Sequence, residues 1–193
     1  MSIPRVLVDA NVLYSRTLRD WLALISLSLD DEPYRVYWTE DILAETLYRL
    51  RRKHPGWDGR KIADVRDKIE RAFEGGRVED FVVDTTFPGR DADDAHVHAA
   101  ALACDADILL TADNGFVSGD VDPDSLPYEV FTPDEFFVHV DDTAPVHVET
   151  ATANQTRYWR RRSGRAPLGE QLARAGCPRF AERVRAYQSF LSF

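Results

Sequence analysis

The sequence has few cysteines, no long apolar run and no sign of a leader segment. Its two cysteines, Cys104 and Cys177, form no CxxC pair, which favours reduced thiols in a cytoplasmic protein over a disulfide framework. The longest apolar stretch, Trp21–Leu29, includes two serines and is far shorter than the ~20 residues of a membrane-spanning helix. The N-terminus lacks the apolar core of a signal peptide, so we expect no membrane attachment.

The composition is that of an ordinary globular protein, but its charge is unevenly distributed. With 44% hydrophobic and 30% charged residues, the chain is not expected to be disordered, collagen-like or a coiled coil. Residues 151–193 carry nine Arg and two Glu, a net charge of +7, whereas residues 1–150 carry −16. Because a net-acidic protein repels nucleic acid over most of its surface, any phosphate binding must be local, through arginines or metal ions.

Short apolar runs alternate along the chain with segments of helical periodicity. This order predicts an α/β fold with a mostly parallel central sheet and helices on both faces. The predicted strands are residues 5–8, 78–83, 108–111 and 128–131, and residues 35–38 fit either a brief strand or the start of the next helix. The predicted helices are residues 11–29, 39–53, 59–74, 91–104, 133–139, 146–162, 167–175 and 178–191. The predicted domains are residues 1–142 and a small basic helical extension at 143–193.

Acidic residues follow the predicted strands at the end where an open α/β sheet binds its ligands. Asp9 follows the first strand and Asp113 follows strand 108–111, while Asp91, Asp93 and Asp94 lie after strand 78–83. Clustered carboxylates repel one another unless a cation neutralises them, and ligands that are all oxygen select Mg²⁺ or Mn²⁺. One or two such ions are suited to phosphodiester hydrolysis.

Each of these acids also has a simpler explanation. Asp9 and Asn11 could cap the first helix, and residues 91–94 could cap the alanine-rich helix that they precede. The segment Asp113-Asn114-Gly115 is typical of a turn. The convergence of three acidic segments at the ends of successive α/β units favours the metal site.

Four segments of the chain resemble, in order, the four motifs of the PIN-domain family. They are VLVDANVLYS at 6–15, TEDILAETLYRL at 39–50, DADDAHVHAAALA at 91–103 and ILLTADNGF at 108–116. The resemblance covers roughly residues 4–140 and implies a PIN-like three-layer sandwich with Mg²⁺- or Mn²⁺-dependent endoribonuclease activity on single-stranded RNA. Many bacterial members are VapC-type toxins, so it also implies a cognate antitoxin partner and a homodimer.

The resemblance also implies a set of site residues. Asp9, Glu45, Asp94 and Asp113 would be the metal ligands, with Asp91 and Asp93 as auxiliaries, and Thr111 would contact the attacking water or a phosphate. Periodicity alone places Glu45 away from the core-facing stripe of its helix, where a surface pair with Arg49 remains the alternative. His98, one turn after Asp94, could line the site or could be an ordinary histidine on the helix surface.

The C-terminal region interleaves arginines with aromatic residues. The segment Arg157-Tyr158-Trp159-Arg160-Arg161-Arg162 suits RNA phosphates and base stacking, but its charge favours docking on the acidic body or binding an antitoxin over direct RNA contact. This leaves a non-catalytic alternative, an RNA-binding or regulatory PIN-like module that uses the basic tail. An aspartyl phosphatase is less compatible, because that chemistry needs a second acid where this chain has Asn11.

Overall fold

The computed structural model describes residues 3–84, 87–89, 94–112, 122 and 125–191. Its strands are β1 (Arg5–Val8), β2 (Arg35–Tyr37), β3 (Ile108–Leu110) and β4 (Glu129–Phe131). They form one sheet in the order β2-β1-β3-β4, and every neighbouring pair is parallel. The predicted α/β class with a mostly parallel sheet is therefore confirmed, as are helices after the last strand.

Most of the described residues outside this sheet are helical. The helices are α1 (Ala10–Tyr14), α2 (Arg16–Ser26), α3 (Glu40–Lys53), α4 (Gly59–Ala72), α5 (Ala95–Ala103), α6 (Pro133–Thr143), α7 (Pro145–Ser163), α8 (Leu168–Arg174) and α9 (Pro178–Phe190). Several begin as the sequence predicts: the Thr39 and Asp58 side chains accept hydrogen bonds from the amides of Ile42 and Lys61. Among the described helices, none combines the length and apolar character needed to cross a bilayer.

Strand β1 lies inside the sheet and determines where the strand ends meet. It pairs with β2 on one edge and β3 on the other, and Val6, Leu7 and Val8 are fully buried. A strand covered on both faces is expected to be a continuous apolar run. Because Val8 pairs with Leu110, the residues that follow β1 and β3 lie side by side at the carboxyl end of the sheet.

The predicted strand at residues 78–83 is wrong. The backbone there makes only an isolated parallel bridge, between Arg77 and Trp38, and no strand follows it. Val78 is buried, but Asp80 has a positive φ of 57° and Val82 is 82% exposed, so the apolar run does not continue as an extended, buried strand. A short apolar run predicts a strand only when a neighbouring strand is there to accept its hydrogen bonds.

The single helix predicted over residues 11–29 is also wrong, because the helix is interrupted at Ser15. Ser15 adopts an extended conformation and its hydroxyl accepts a hydrogen bond from the Leu18 amide at 3.5 Å, so it begins a new helix, α2. The apolar periodicity continues through the break. Periodicity alone therefore could not separate α1 from α2.

The chain forms two compact units, and it passes between them more than once. The first unit comprises residues 1–14 and 34–132, with the sheet, and the second comprises residues 15–33 and 133–193. In the second unit α2 packs on α7 and α8, and Trp21 meets the Phe180 ring edge-on at 5.3 Å. The division into domains 1–142 and 143–193 stays a prediction.

Candidate active site

The candidate site is built around a buried carboxylate at the end of β1. Asp9 is 7% exposed, and its amide donates to the Leu110 carbonyl at 3.0 Å, which continues the sheet by one residue. The Thr111 hydroxyl donates to Asp9 Oδ2 at 2.7 Å, and the Ala10 amide donates to Oδ1. The two strand ends that the sequence predicts to be functional are therefore joined by direct hydrogen bonds.

Asn11 completes this junction, and the sequence-based interpretation gave it no role beyond capping. Its Nδ2 donates to Asp9 Oδ2 at 2.6 Å and to Thr111 Oγ1 at 3.1 Å, while its Oδ1 accepts from the Ala112 amide at 2.9 Å. One amide side chain thus ties the segment after β1 to the segment after β3. The sequence signal for this role is an asparagine two residues after the acid at the strand end, because an Asn side chain can both donate and accept hydrogen bonds.

Asp9 carries charge in surroundings that disfavour it. Burial raises the pKa of the Asp9 carboxyl above its ordinary value, and the hydrogen bonds from Thr111 and Ala10 oppose that rise. The negative charge of Glu45 raises the pKa further, and the Arg49 guanidinium lowers it, as the smallest of these effects. A cation at this position would relieve both the burial cost and the repulsion between the two carboxylates.

Helix α3 brings Glu45 towards Asp9 through the residue next to it. The Thr46 hydroxyl is buried and contacts the Ile42 carbonyl at 2.8 Å and the Ala10 carbonyl at 3.4 Å. Ala10 directly follows Asp9, and the negative charge of Glu45 raises the pKa of the Asp9 carboxyl. The Glu45 side chain also pairs with Arg49 at 2.6 Å, so the surface pair predicted as the alternative forms at the margin of the site.

Asp94 precedes α5 without capping it. It occupies the N-cap position with helical backbone angles, and its side chain makes no capping hydrogen bond. The capping alternative is therefore not observed at this residue. Burial raises the pKa of Tyr128, and the negative charge of Asp94 raises it further.

His98 is not an ordinary histidine on the helix surface. It is buried, and its Nδ1 lies 2.8 Å from the Tyr128 hydroxyl, while burial lowers the pKa of the imidazole. His98 is therefore held by a tyrosine whose pKa responds to the charge of Asp94. The sequence showed that Asp94 and His98 share a helix face but did not show the tyrosine that binds His98.

The described residues hold only part of the predicted ligand set. Asp113, Asp91 and Asp93 lie outside the described residues, so their predicted roles remain predictions. Within residues 3–84, 87–89, 94–112, 122 and 125–191, no three His, Cys, Asp or Glu side chains are grouped closely enough to hold a metal ion. The structure brings together Asp9, Thr111 and Asn11, and it places Glu45 close enough to shift the pKa of Asp9.

Comparison with known proteins identifies the family. The family model described as "PIN domain" matches residues 5–115, which run from β1 past β3 and include Asp9, Glu45, Asp94, Thr111 and Asp113. No curated protein and no solved structure matches the chain. The family match covers more than half of the chain, and this chain therefore belongs to the PIN domain family, whose members are generally metal-dependent nucleases.

Proposed function

We propose that this PIN domain is a metal-dependent endoribonuclease that cleaves single-stranded regions of RNA in the cytoplasm. The observation that carries the proposal is the Asp9 carboxylate, which is buried at the carboxyl end of β1, held by neutral donors and repelled by Glu45. Such a carboxylate is costly for the fold unless a cation binds it. Its position is also where α/β sheets bind their ligands.

The donor set fits a hard divalent ion. Asp9, Glu45, Asp94 and Asp113 would hold Mg²⁺ or Mn²⁺, because all four supply carboxylate oxygens and no thiolate accompanies them. When bound, the ion would supply Lewis acidity towards water and the scissile phosphate. Asn11 and Thr111 hold the Asp9 carboxylate in one orientation. Since the pKa of Asp9 is raised, lowering the pH protonates this ligand earlier than an ordinary aspartate and weakens cation binding.

RNA cleavage in the presence and absence of metal tests the proposal. Purified protein should cleave structured RNAs at unpaired positions in Mg²⁺ or Mn²⁺, and a chelator should abolish cleavage. Asp9→Asn and Asp94→Asn should each lower the rate by about 100-fold or more, because each carboxylate helps to hold the charge that stabilises the transition state. Wild-type rates in both variants would contradict the site. RNA binding without cleavage under any divalent metal would instead support the non-catalytic, RNA-binding alternative.

We infer that the physiological role is that of a VapC-type toxin, as a homodimer neutralised by an antitoxin. Arg or Lys from an antitoxin segment would meet the carboxylates of the site and compete with the cation there. Expression of the wild-type chain should arrest growth, and co-expression with a small neighbouring gene should restore it. Equal toxicity of Asp9→Asn would contradict this role, because a variant that does not cleave RNA cannot arrest growth by cleaving it.

A further inference from the structure

The second compact unit contains an aromatic cavity that the proposed nuclease site does not use. It lies between α2, α7 and α8 and has a volume of about 470 Å³, within the range of about 300–1,000 Å³ typical of ligand sites. Trp21, Tyr158 and Trp159 supply its aromatic walls, and Gln155 and Gln171 contribute side-chain amides. The cavity therefore combines flat apolar surface with groups that both donate and accept hydrogen bonds.

The aromatic walls differ in exposure. Trp21 is almost fully buried and is held edge-on by Phe180, so it forms a fixed floor. Tyr158 is 49% exposed, and its ring meets the Trp159 ring edge-on with centroids 5.5 Å apart. A half-exposed aromatic pair above a buried one is suited to stacking a planar group that enters from solvent.

Cations border the cavity on two sides. Arg162 follows Tyr158 by one helical turn, donates to its hydroxyl at 2.9 Å and lies 6.0 Å from the centre of its ring. Arg16 and Asp20 both line the cavity from α2 and pair with each other at 3.4 Å. Arg157, Arg160, Arg161 and Arg165 are exposed along the same segment, where Arg165 pairs with Glu170. Arginines in the last turn also complement the helix dipole, but this does not explain the aromatic cavity beside them.

We propose that this cavity takes a base of single-stranded RNA, and the proposal rests on the RNA-cleaving function inferred above. The base stacks on the face of Trp159, the perpendicular Tyr158 ring borders it, the Gln155 and Gln171 amides bind its edge, and Arg162 binds the adjacent phosphate. An acidic peptide would use the arginines and leave the aromatic walls without a planar partner. The cavity thus gives the second unit a role in holding the substrate strand, separate from the carboxylates that act on it.

Binding of a short fluorescein-labelled single-stranded RNA, measured by anisotropy with a chelator present, tests the proposal without cleavage. Trp159→Ala should weaken binding by about 5-fold or more, the loss of one base–aromatic stack, while Trp159→Tyr should retain most of the affinity. Arg162→Gln should weaken binding and reduce the slope of log affinity against log salt by about 0.7, the value for one phosphate contact. Arg179 is an exposed arginine of α9 that does not line the cavity. Arg179→Gln removes the same charge, so it is the matched control and should keep the wild-type slope.

Each further result supports or overturns the proposal. Thermal unfolding of the variants confirms that they fold, and Arg162→Gln, at an exposed position, carries the test if Trp159→Ala does not fold. Wild-type affinity in whichever of Trp159→Ala and Arg162→Gln folds overturns the proposal, as does Trp159-dependent binding of an acidic peptide in place of RNA. Cleavage with an unchanged KM in both variants overturns this inference alone. Trp159-dependent RNA binding without metal-dependent cleavage overturns the proposed function alone.

Discussion

The two compact units bury carboxylates to the same extent but surround them differently. Asp9 in the first unit is 7% exposed, and Asp134 and Asp141 in the second are 9% and 6% exposed. Asp141 binds the Arg183 guanidinium at 2.8 Å and the Tyr187 hydroxyl at 2.7 Å. Asp134 accepts from the amides of Arg179 and Phe180 at the positive end of α9. Asp9 accepts from neutral groups, and its neighbour Glu45 adds a second negative charge.

On the proposed function, this difference separates a structural carboxylate from one that binds a cation. In the second unit a cation or a helix N-terminus balances each buried charge within the protein, so the fold itself benefits. In the first unit Asp9 lies close enough to Glu45 for that second negative charge to act on it, and burial and this charge raise the pKa of Asp9. Burial therefore does not distinguish the carboxylates, whereas the charge beside them does: an arginine or the N-terminus of α9 in the second unit, and a second carboxylate in the first.

The largest expected effect is on catalysis, in a comparison of Asp9→Asn with Asp141→Asn. Asp9→Asn should lower the rate of RNA cleavage by about 100-fold or more, because it removes a ligand charge from the site. Asp141→Asn should leave the rate of the folded protein unchanged, since its carboxylate serves Arg183 and Tyr187. Single-turnover cleavage rates at a temperature where both variants are folded measure the difference. Equal losses would remove the distinction between the two carboxylates.

Stability, unlike catalysis, should depend on Asp141 in the second unit. Asp141→Asn should lower the free energy of unfolding by about 1–3 kcal/mol, because it replaces a charge-assisted hydrogen bond at a partly exposed arginine. For a chain of this length the melting temperature should fall by about 2–12 °C. Asp142→Asn is the control: Asp142 binds the same arginine but is exposed, so its loss should be smaller. Circular dichroism melts decide it, and an equal effect of the two substitutions would show that burial of Asp141 adds nothing.

A bound cation should stabilise the wild-type protein through the carboxylates of the first unit. At ten times its Kd, Mg²⁺ should add about 1.4 kcal/mol, or roughly 3–6 °C in melting temperature. Without metal, Asp94→Asn should melt higher than wild type, because it removes one repelling charge, and it should lose most of the Mg²⁺ response. Asp58→Asn is the control, since Asp58 caps α4 at 2.9 Å and should leave that response intact. Scans with chelator and with 10 mM Mg²⁺, about tenfold above a ~1 mM Kd, make the measurement. Equal responses in wild type and Asp94→Asn would exclude Asp94 from the site.

The smallest expected effect concerns the two thiols, one in each unit. Burial is the largest cause that raises the pKa of Cys104 to about 11 and of Cys177 to about 12. Since the thiolate is the reactive form, iodoacetamide at pH 8 should label neither residue in the native protein and both in urea. Mass spectrometry of the labelled peptides measures this, and native labelling at pH 8 would contradict the burial of that thiol.

The elements that local patterns predict well are those decided by neighbours close in the chain. The helices at 145–163, 168–174 and 178–190 lie within a residue or two of their predicted bounds, because Pro and Gly mark their ends. Strand β1 is likewise predicted from local residues, because it is an apolar run followed by a polar residue. The apolar run at 78–83 failed because a strand also needs a hydrogen-bonding partner, which no local pattern supplies.

The sequence by itself determined that Asp9 follows β1 and that Thr111 follows β3. Because the strands are parallel, the residues that follow them lie at the same end of the sheet. Only the tertiary structure decided what those groups contact. About 100 residues separate Asp9 from Thr111, and their hydrogen bond depends on the pairing of β1 with β3. Helix α3 likewise meets the segment after β1 only in the folded chain, where Thr46 contacts the Ala10 carbonyl at 3.4 Å and the charge of Glu45 acts on Asp9. Periodicity shows which side chains of a helix point away from the hydrophobic core. The charged and hydrogen-bonding groups that they then contact come from distant parts of the chain.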